Sequence, residues 1–219
     1  MQSTQPIHKA KGITLRLLIV TAFLLLSLFV FLGIADAIVL KHNDGFDTSI
    51  FQKLSFLTSP FTTRLMLFFT FFGSDTFLFL AYTLLVAYFL FIKKSIKVSL
   101  GIAAIGIFSK VLLVFTKRIF KRQRPLDPLI PNVTGYSFPS GHAFYAFTFF
   151  GLIIYLLWQS EIRKRRKYLL SIAFILFASC VAFSRVYLHV HYASDVIGSF
   201  YLSMSWLAIS LWLLSKINV

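Results

Sequence analysis

Six stretches of this chain are each close to 20 residues long and almost wholly apolar. That repetition constrains its fold more than any other feature. About 20 such residues carry a helix across the hydrocarbon core of a bilayer, where the backbone has to bond to itself. The runs are Ile13–Ile34, Thr76–Ile92, Val98–Thr116, Gly141–Trp158, Tyr168–Phe183 and Val196–Leu214. Composition agrees, because only 13% of the residues are charged, against roughly a quarter in an ordinary soluble domain. The 27 phenylalanines exceed what a soluble core of 219 residues can hide. A soluble globular enzyme, a disordered chain and a coiled coil are excluded. The expected fold is an all-α, polytopic membrane protein of six transmembrane helices, a single domain over residues 1–219.

The first run has a basic flank (Lys9, Lys11, Arg16) and a small-residue string, Ala35-Asp36-Ala37. Its apolar core is longer than the ~7–15 residues of a cleaved signal, so it reads as a retained anchor. Phe61–Phe72 is apolar too. One helix from there to Ile92 would be roughly 48 Å long, and Gly73-Ser74-Asp75-Thr76 looks like a break followed by an N-cap, with Asp75 as the cap. Ile50, Phe51, Leu54 and Leu57 recur at helical spacing, so Asp47–Phe72 is expected to lie at the membrane interface as one or two short helices.

Lys and Arg number 22 against 7 acids. Lys9, Lys11, Arg16, Lys93, Lys94, Lys97, Arg163 to Lys167 and Lys216 all fall on one side of the six-span layout. The positive-inside rule makes that side cytoplasmic, both termini included. Five basic residues of Lys117–Arg124 crowd the opposite face, where topology predicts few; an anionic ligand would account for them. The basic residues sit in short loops between spans, so nucleic acid is not an expected partner. Cys180 lies in an apolar run as a small core residue, and the scattered acids (Asp36, Asp44, Asp47, Asp75, Asp127, Glu161, Asp195) form no metal-ligand spacing.

Three strings carry chemistry. Lys117 and Arg124-Pro125 offer charged donors that suit phosphate. Pro139-Ser140-Gly141-His142 opens the fourth span; free N–H groups and the helix dipole there attract an anion, and His142 can exchange a proton near neutrality. Ser184-Arg185 closes the fifth span, and His191 stands four residues before Asp195, a spacing that lets the carboxylate hold one imidazole nitrogen and free the other. Each alone has a plainer account: headgroup contact, a well-capped helix, a His–Asp pair joining two helices. Together they fall at the same, non-cytoplasmic ends of the spans. Lys110 sits about 10 Å deeper than Lys117 on nearly the same helix face, Arg118, Lys121 and Arg122 are candidates for headgroups or a second phosphate, and His189 reads as structural.

These strings resemble the signature of the type-2 phosphatidic acid phosphatase superfamily, K-x6-RP, PSGH and SR-x5-H-x3-D, without a departure. They cover residues 117–195, 79 of 219. The resemblance implies a lipid phosphatase of the cell membrane acting on a lipid mono- or diphosphate at the outer face, with no metal and no organic cofactor. Undecaprenyl diphosphate and phosphatidylglycerophosphate are the candidate lipids, and lipid A phosphates a third. It implies catalytic roles for His191 as nucleophile, Asp195 as its orienting partner and His142 as proton donor. Lys117, Arg124, Ser140, Gly141 and Arg185 would hold the phosphoryl oxygens. A phosphotransferase using the same phosphohistidine is the nearest alternative. A non-enzymatic anion or lipid transporter, or vanadium-dependent halide oxidation, stands further off. The sequence says nothing of oligomeric state.

Overall fold

The structure, a computed structural model, describes residues 5–41 and 44–217, with side chains from Leu17 onward. The basic flank Lys9, Lys11 and Arg16 therefore lies outside the described side chains. Eight α-helices and no strand make up the described residues: α1 (Gln5–Ile34), α2 (Gly45–Ser55), α3 (Pro60–Phe71), α4 (Asp75–Ala87), α5 (Ile96–Phe120), α6 (Gly141–Trp158), α7 (Lys164–Tyr187) and α8 (Ala193–Ile217). Wider π-helical turns extend α1 through Ala35–Leu40 and α4 through Tyr88–Ile92.

Six of these are long and apolar enough to cross a membrane: Leu17–Leu40, Asp75–Ile92, Ile96–Phe120, Gly141–Trp158, Lys164–Tyr187 and Ala193–Ile217. The fold is thus all-α and polytopic. The helices outrun the apolar runs mostly by charged ends. Lys117 and Arg118 sit in the last turn of α5, and α7 begins at Lys164 in the basic string. Long basic stems lie along apolar surface while their heads reach water. The connection after the third span is non-helical only from Lys121; Lys117–Phe120 is still helix.

The interfacial segment forms two helices, α2 and α3. Ser59 opens α3 with a capping box: its hydroxyl accepts from the Thr62 N–H at 3.2 Å while its own N–H donates to Thr62 Oγ1 at 3.1 Å. Neither helix floats free. The Tyr187 hydroxyl, at the end of α7, lies 2.5 Å from Thr62 Oγ1 and donates to the Leu57 carbonyl at 3.2 Å.

The main core joins α1, α6, α7 and α8 through Phe31, Phe138, Phe144, Phe149, Phe150, Val181 and Leu202. The helices close tightly where residues are small, the usual device when lipid removes a hydrophobic drive to associate. Gly198 of α8 is one such place; a Cβ there would lie 2.6 Å from the Phe138 ring. Phe138 is itself fully buried between α8 and Phe31, and so anchors the connection that leads into α6.

Candidate active site

Four helix ends meet at one point. Lys117 arrives on the last turn of α5 and donates to the carbonyls of Tyr136 at 2.6 Å and Ser137 at 3.3 Å. Lys121 then takes a left-handed conformation (φ 46°) and ends the helix. Arg124 follows in the non-helical connection. Its Nε donates to the Gly135 carbonyl at 2.9 Å and one terminal nitrogen to the Val190 carbonyl at 2.7 Å. Ser140 is the residue before α6, fully buried, and Gly141 and His142 are the first two residues of that helix. Arg185 closes α7 and donates to Thr70 Oγ1 at 2.5 Å. His191 stands two residues before α8, and Asp195 lies in its first turn, both buried. The opening of α6 is tied to that of α8, since Ser199 Oγ donates to the Ser140 carbonyl at 3.0 Å.

His191 is poised as a neutral imidazole. Its Nδ1 lies 3.5 Å from Asp195 Oδ2 and 3.3 Å from Ser137 Oγ. Its Nε2 lies 3.2 Å from a terminal nitrogen of Arg124. Arg is a donor only, so Nε2 presents its lone pair and the proton sits on Nδ1, facing the carboxylate. Burial pushes the imidazole well below its ordinary value, and the charges of Lys117, Arg124 and Arg185 push the same way. Burial also lowers Arg124, partly offset by Asp195. His142 lies within the electrostatic reach of Arg185, His191, Arg124 and Lys117.

The convergent donors suit a tetrahedral oxyanion. Two buried donors, Ser140 Oγ and Arg185 Nε, have no partner among the described residues. A buried polar group left unpaired is costly, and the leading N–H groups of α6 lie beside them at the positive end of a helix. Arg, Lys, hydroxyl and backbone N–H around a neutral imidazole can bind a phosphoryl group and attack it. Among the described residues no three of His, Cys, Asp and Glu gather where they could hold a metal ion. All eight residues singled out from the sequence thus lie at this cluster of helix ends.

Other participants gave no readable signal. Ser137 Oγ donates to Asp195 Oδ2 at 2.5 Å. Thr70, at the end of α3, holds Arg185. Gly73 lets His142 approach: a Cβ there would sit 2.9 Å from the His142 Cβ and 2.7 Å from Val181 Cγ1. Two expectations are corrected. Arg122 does not reach outward to headgroups; it is buried and bound to Asp195, Asp47 and Asp44, because burial of a guanidinium demands carboxylate partners. Asp75 is not the cap of α4, since Ser74 is, accepting from the Phe77 N–H at 3.3 Å. Asp75 instead pairs with Lys110 across α4 and α5, which accounts for a lysine within a span.

An apolar cleft of about 550 Å³ runs between α4 and α5 below the site, with Leu78, Tyr82, Ala103 and Gly106 on its walls and Asp75, Lys110 and Tyr145 also lining it. Tyr145 is one turn beyond Gly141. A wider groove of about 990 Å³ between α1, α6, α7 and α8 has Leu17 and Lys216 at one end and Phe147 and Phe200 towards the other, and is lined by none of the motif residues.

Known proteins resemble this chain in sequence and fold. The sequence profile of the PAP2 superfamily matches residues 77–218. The chain is 30% identical over 181 residues to phosphatidylglycerophosphatase B of Bacillus subtilis, covering 81% of this chain and 88% of that one. It is 28% identical over 193 residues to undecaprenyl-diphosphatase of Sulfolobus acidocaldarius, covering 85% and 87%. The crystal structure of a transmembrane PAP2-type phosphatidylglycerolphosphate phosphatase from Bacillus subtilis superposes with a TM-score of 0.80 at 27% identity, over 88% of this chain and 96% of that one. The fold is also that of Aquifex aeolicus LpxE, with a TM-score of 0.57 at 24% identity over 75% and 93% of the two chains.

Proposed function

The chain belongs to the PAP2 superfamily and is a lipid phosphatase, and from that premise we propose that it hydrolyses a lipid mono- or diphosphate through a phosphohistidine on His191. The observation that carries the reading is the buried imidazole whose Nδ1 faces Asp195 and whose Nε2 lone pair faces Arg124, beside the unpaired donors of Ser140 and Arg185.

In the first step His191 Nε2 attacks phosphorus as the bond to the lipid oxygen breaks. His142 gives that oxygen its proton, so the lipid leaves as an alcohol, or as a monophosphate when the substrate is a diphosphate. Asp195 holds the Nδ1 proton and balances the charge that grows on the ring. In the second step water attacks phosphorus, His142 takes a proton from the water, the N–P bond breaks, and inorganic phosphate leaves. Lys117, Arg124, Arg185, Ser140 and the Gly141 N–H hold the equatorial oxygens as charge shifts through each transition state.

The lipid part of the substrate lies in the α4–α5 cleft, whose apolar walls suit a hydrocarbon chain. The site works on the non-cytoplasmic face: Lys93, Lys94, Lys97, Arg163–Lys167 and Lys216 stand at the opposite ends of the same helices. Undecaprenyl diphosphate and phosphatidylglycerophosphate head the candidate lipids, because two similar proteins carry those activities in their names.

The test is phosphate release by the purified protein in detergent from undecaprenyl diphosphate, phosphatidylglycerophosphate and phosphatidic acid, beside His191→Ala and His142→Ala. Wild type releases phosphate and His191→Ala does not. With p-nitrophenyl phosphate, whose leaving group needs no proton, His142→Ala accumulates an acid-labile, base-stable phosphoenzyme. Turnover by His191→Ala would sink the reading.

A further inference from the structure

Arg122 joins the interfacial helix α2 to the reacting pair. One terminal nitrogen donates to Asp195 Oδ1 at 2.8 Å and to Ser194 Oγ at 2.7 Å. The other donates to Asp47 Oδ2 at 2.8 Å and to Asp44 Oδ1 at 2.9 Å. The guanidinium face lies 3.9 Å from the centroid of the Tyr192 ring. Asp47 has no exposed side-chain surface. Its Oδ1 accepts the Ser194 N–H at 2.9 Å and its Oδ2 the Ser194 hydroxyl at 2.5 Å, so a residue of α2 caps the first turn of α8. Asp195 is therefore shared. Arg122 holds Oδ1, while Oδ2 takes the Ser137 hydroxyl, the Tyr192 N–H at 2.9 Å and the His191 ring.

We propose that Arg122 and Asp47 are positioning residues of the phosphatase site, which fix the rotation and the charge of Asp195 and through it orient His191. The inference rests on the reading of His191 as nucleophile. The charges alternate outward: Asp195 negative, Arg122 positive, Asp47 and Asp44 negative. Arg122 draws negative charge away from the Nδ1 proton of His191, and Asp47 with Asp44 tempers that pull. Burial works against the Arg122 charge, but Asp195 and Asp47 outweigh it and raise its pKa. Of the other charged or titratable groups facing His191, Lys117, Arg185 and His142 belong to other elements, and Arg124, two residues along the same connection, is held by the Gly135 and Val190 carbonyls.

The two residues should then act with opposite sign. In Arg122→Gln the Asp195 carboxylate turns wholly to His191, the imidazole becomes more basic, and the acid limb of kcat/KM moves to higher pH. In Asp47→Asn the guanidinium leans harder on Asp195, the imidazole becomes less basic, and the limb moves to lower pH. Asp44→Asn, at the exposed rim, shifts it the same way by less. Each of the buried variants loses kcat by an order of magnitude or more through misplacement of the ring, with KM little changed.

The experiment is the pH profile of kcat/KM for p-nitrophenyl phosphate on the purified, monodisperse full chain, for wild type and the three variants. Opposed displacements of the acid limb support the proposal. Limbs that stay in place, or move together, overturn it and leave Arg122 and Asp47 as a pin for α2 alone. Should Arg122→Gln fail to fold, Arg122→Lys and Asp44→Asn decide: Arg122→Lys keeps the charge, so its limb stays near the wild-type position while Asp44→Asn moves down. His191→Ala in the same series separates the two claims. If it is inactive and the limbs do not move, this inference fails alone; if it turns over, the nucleophile reading fails.

Discussion

Thr70 Oγ1 accepts a hydrogen bond from Arg185 at 2.5 Å, so the last turn of the interfacial helix α3 reaches the same guanidinium that closes α7 in the anion pocket. Arg185 is buried, and a hydrogen bond to a buried charged group contributes about 1.5–3 kcal/mol. Thr70→Val keeps the shape and removes the acceptor. Orthovanadate, a mimic of five-coordinate phosphorus, should then inhibit about tenfold more weakly, with KM raised and kcat changed less. Unaltered vanadate inhibition would show that Thr70 does not steady Arg185.

Acid should cost both activity and stability. Burial and three cations hold His191 well below its ordinary value in the folded protein, whereas the unfolded chain titrates near 6.5. The folded ring therefore stays neutral and nucleophilic at pH 6, and the acid limb of kcat/KM falls below 6.5. Below pH 6.5 the unfolded chain takes up a proton that the folded protein refuses, so stability declines as pH falls, by at most about 1.4 kcal/mol per pH unit for this group. Thermal unfolding at pH 7.5 and 5.5 reads the decline, and His191→Asn should flatten it.

Gly73 and Gly151 separate two kinds of crowding. In Gly73→Ala the new methyl meets the Cβ of His142 and Cγ1 of Val181 below 3.0 Å, and neither atom is the tip of a flexible side chain. The start of α6 has to shift, and kcat should fall about tenfold or more in a protein that still purifies as a single species. In Gly151→Ala the methyl meets Leu207 Cδ1 at 2.5 Å, and that tip can rotate away. Its activity should stay within about twofold of wild type, since relieved contacts of this kind cost little. Equal effects would refute a special role for the Gly73–His142 contact.

Ala103→Phe tests the seat of the lipid chain. The ring would fill part of the α4–α5 cleft without touching a residue of the anion pocket. KM for a long-chain lipid phosphate should rise about tenfold, as about two methylenes lose their contacts at about 0.8 kcal/mol each, while turnover of p-nitrophenyl phosphate is unchanged. Parallel loss on both substrates would place the chain elsewhere.

The span count was readable because a bilayer imposes a length of apolar sequence that no other environment demands. Gly141–Trp158 agrees at both ends with the apolar run, being bounded by Pro139-Ser140 and by polar Gln159. Lys164–Tyr187 begins earlier than its run, because the basic string still forms helix. The clustering of the candidate site was readable because each of its parts lies beside a helix end. Arg122, Asp47, Ser137 and Thr70 were not, because their meaning lies in contacts between distant segments: Arg122 and Asp47 are 75 positions apart. Asp47 did leave one trace, a carboxylate within a short helix of otherwise interfacial character that ends fully buried. Arg122 sits among neighbours of like charge, so composition hides that it alone in Arg118, Lys121 and Arg122 turns inward and is buried.

The left-handed turn at Lys121 has a consequence for chain length. The helix delivers Lys117, the turn ends it, and the next residues carry Arg122 to Asp195 and Arg124 to His191. Lys121 and Gln123 are exposed while Arg122 is buried and Arg124 half-buried, and these two arginines grip opposite ends of the same His–Asp pair. Insertion or deletion of one residue between Lys121 and Arg124 would exchange gripping and non-gripping positions, whereas the exposed Leu126–Pro128, ahead of the Leu129 N–H that bonds the Leu188 carbonyl at 3.0 Å, can change length without disturbing either grip. The segment is a gauge block: its residue count, more than its residue types, sets the jaw.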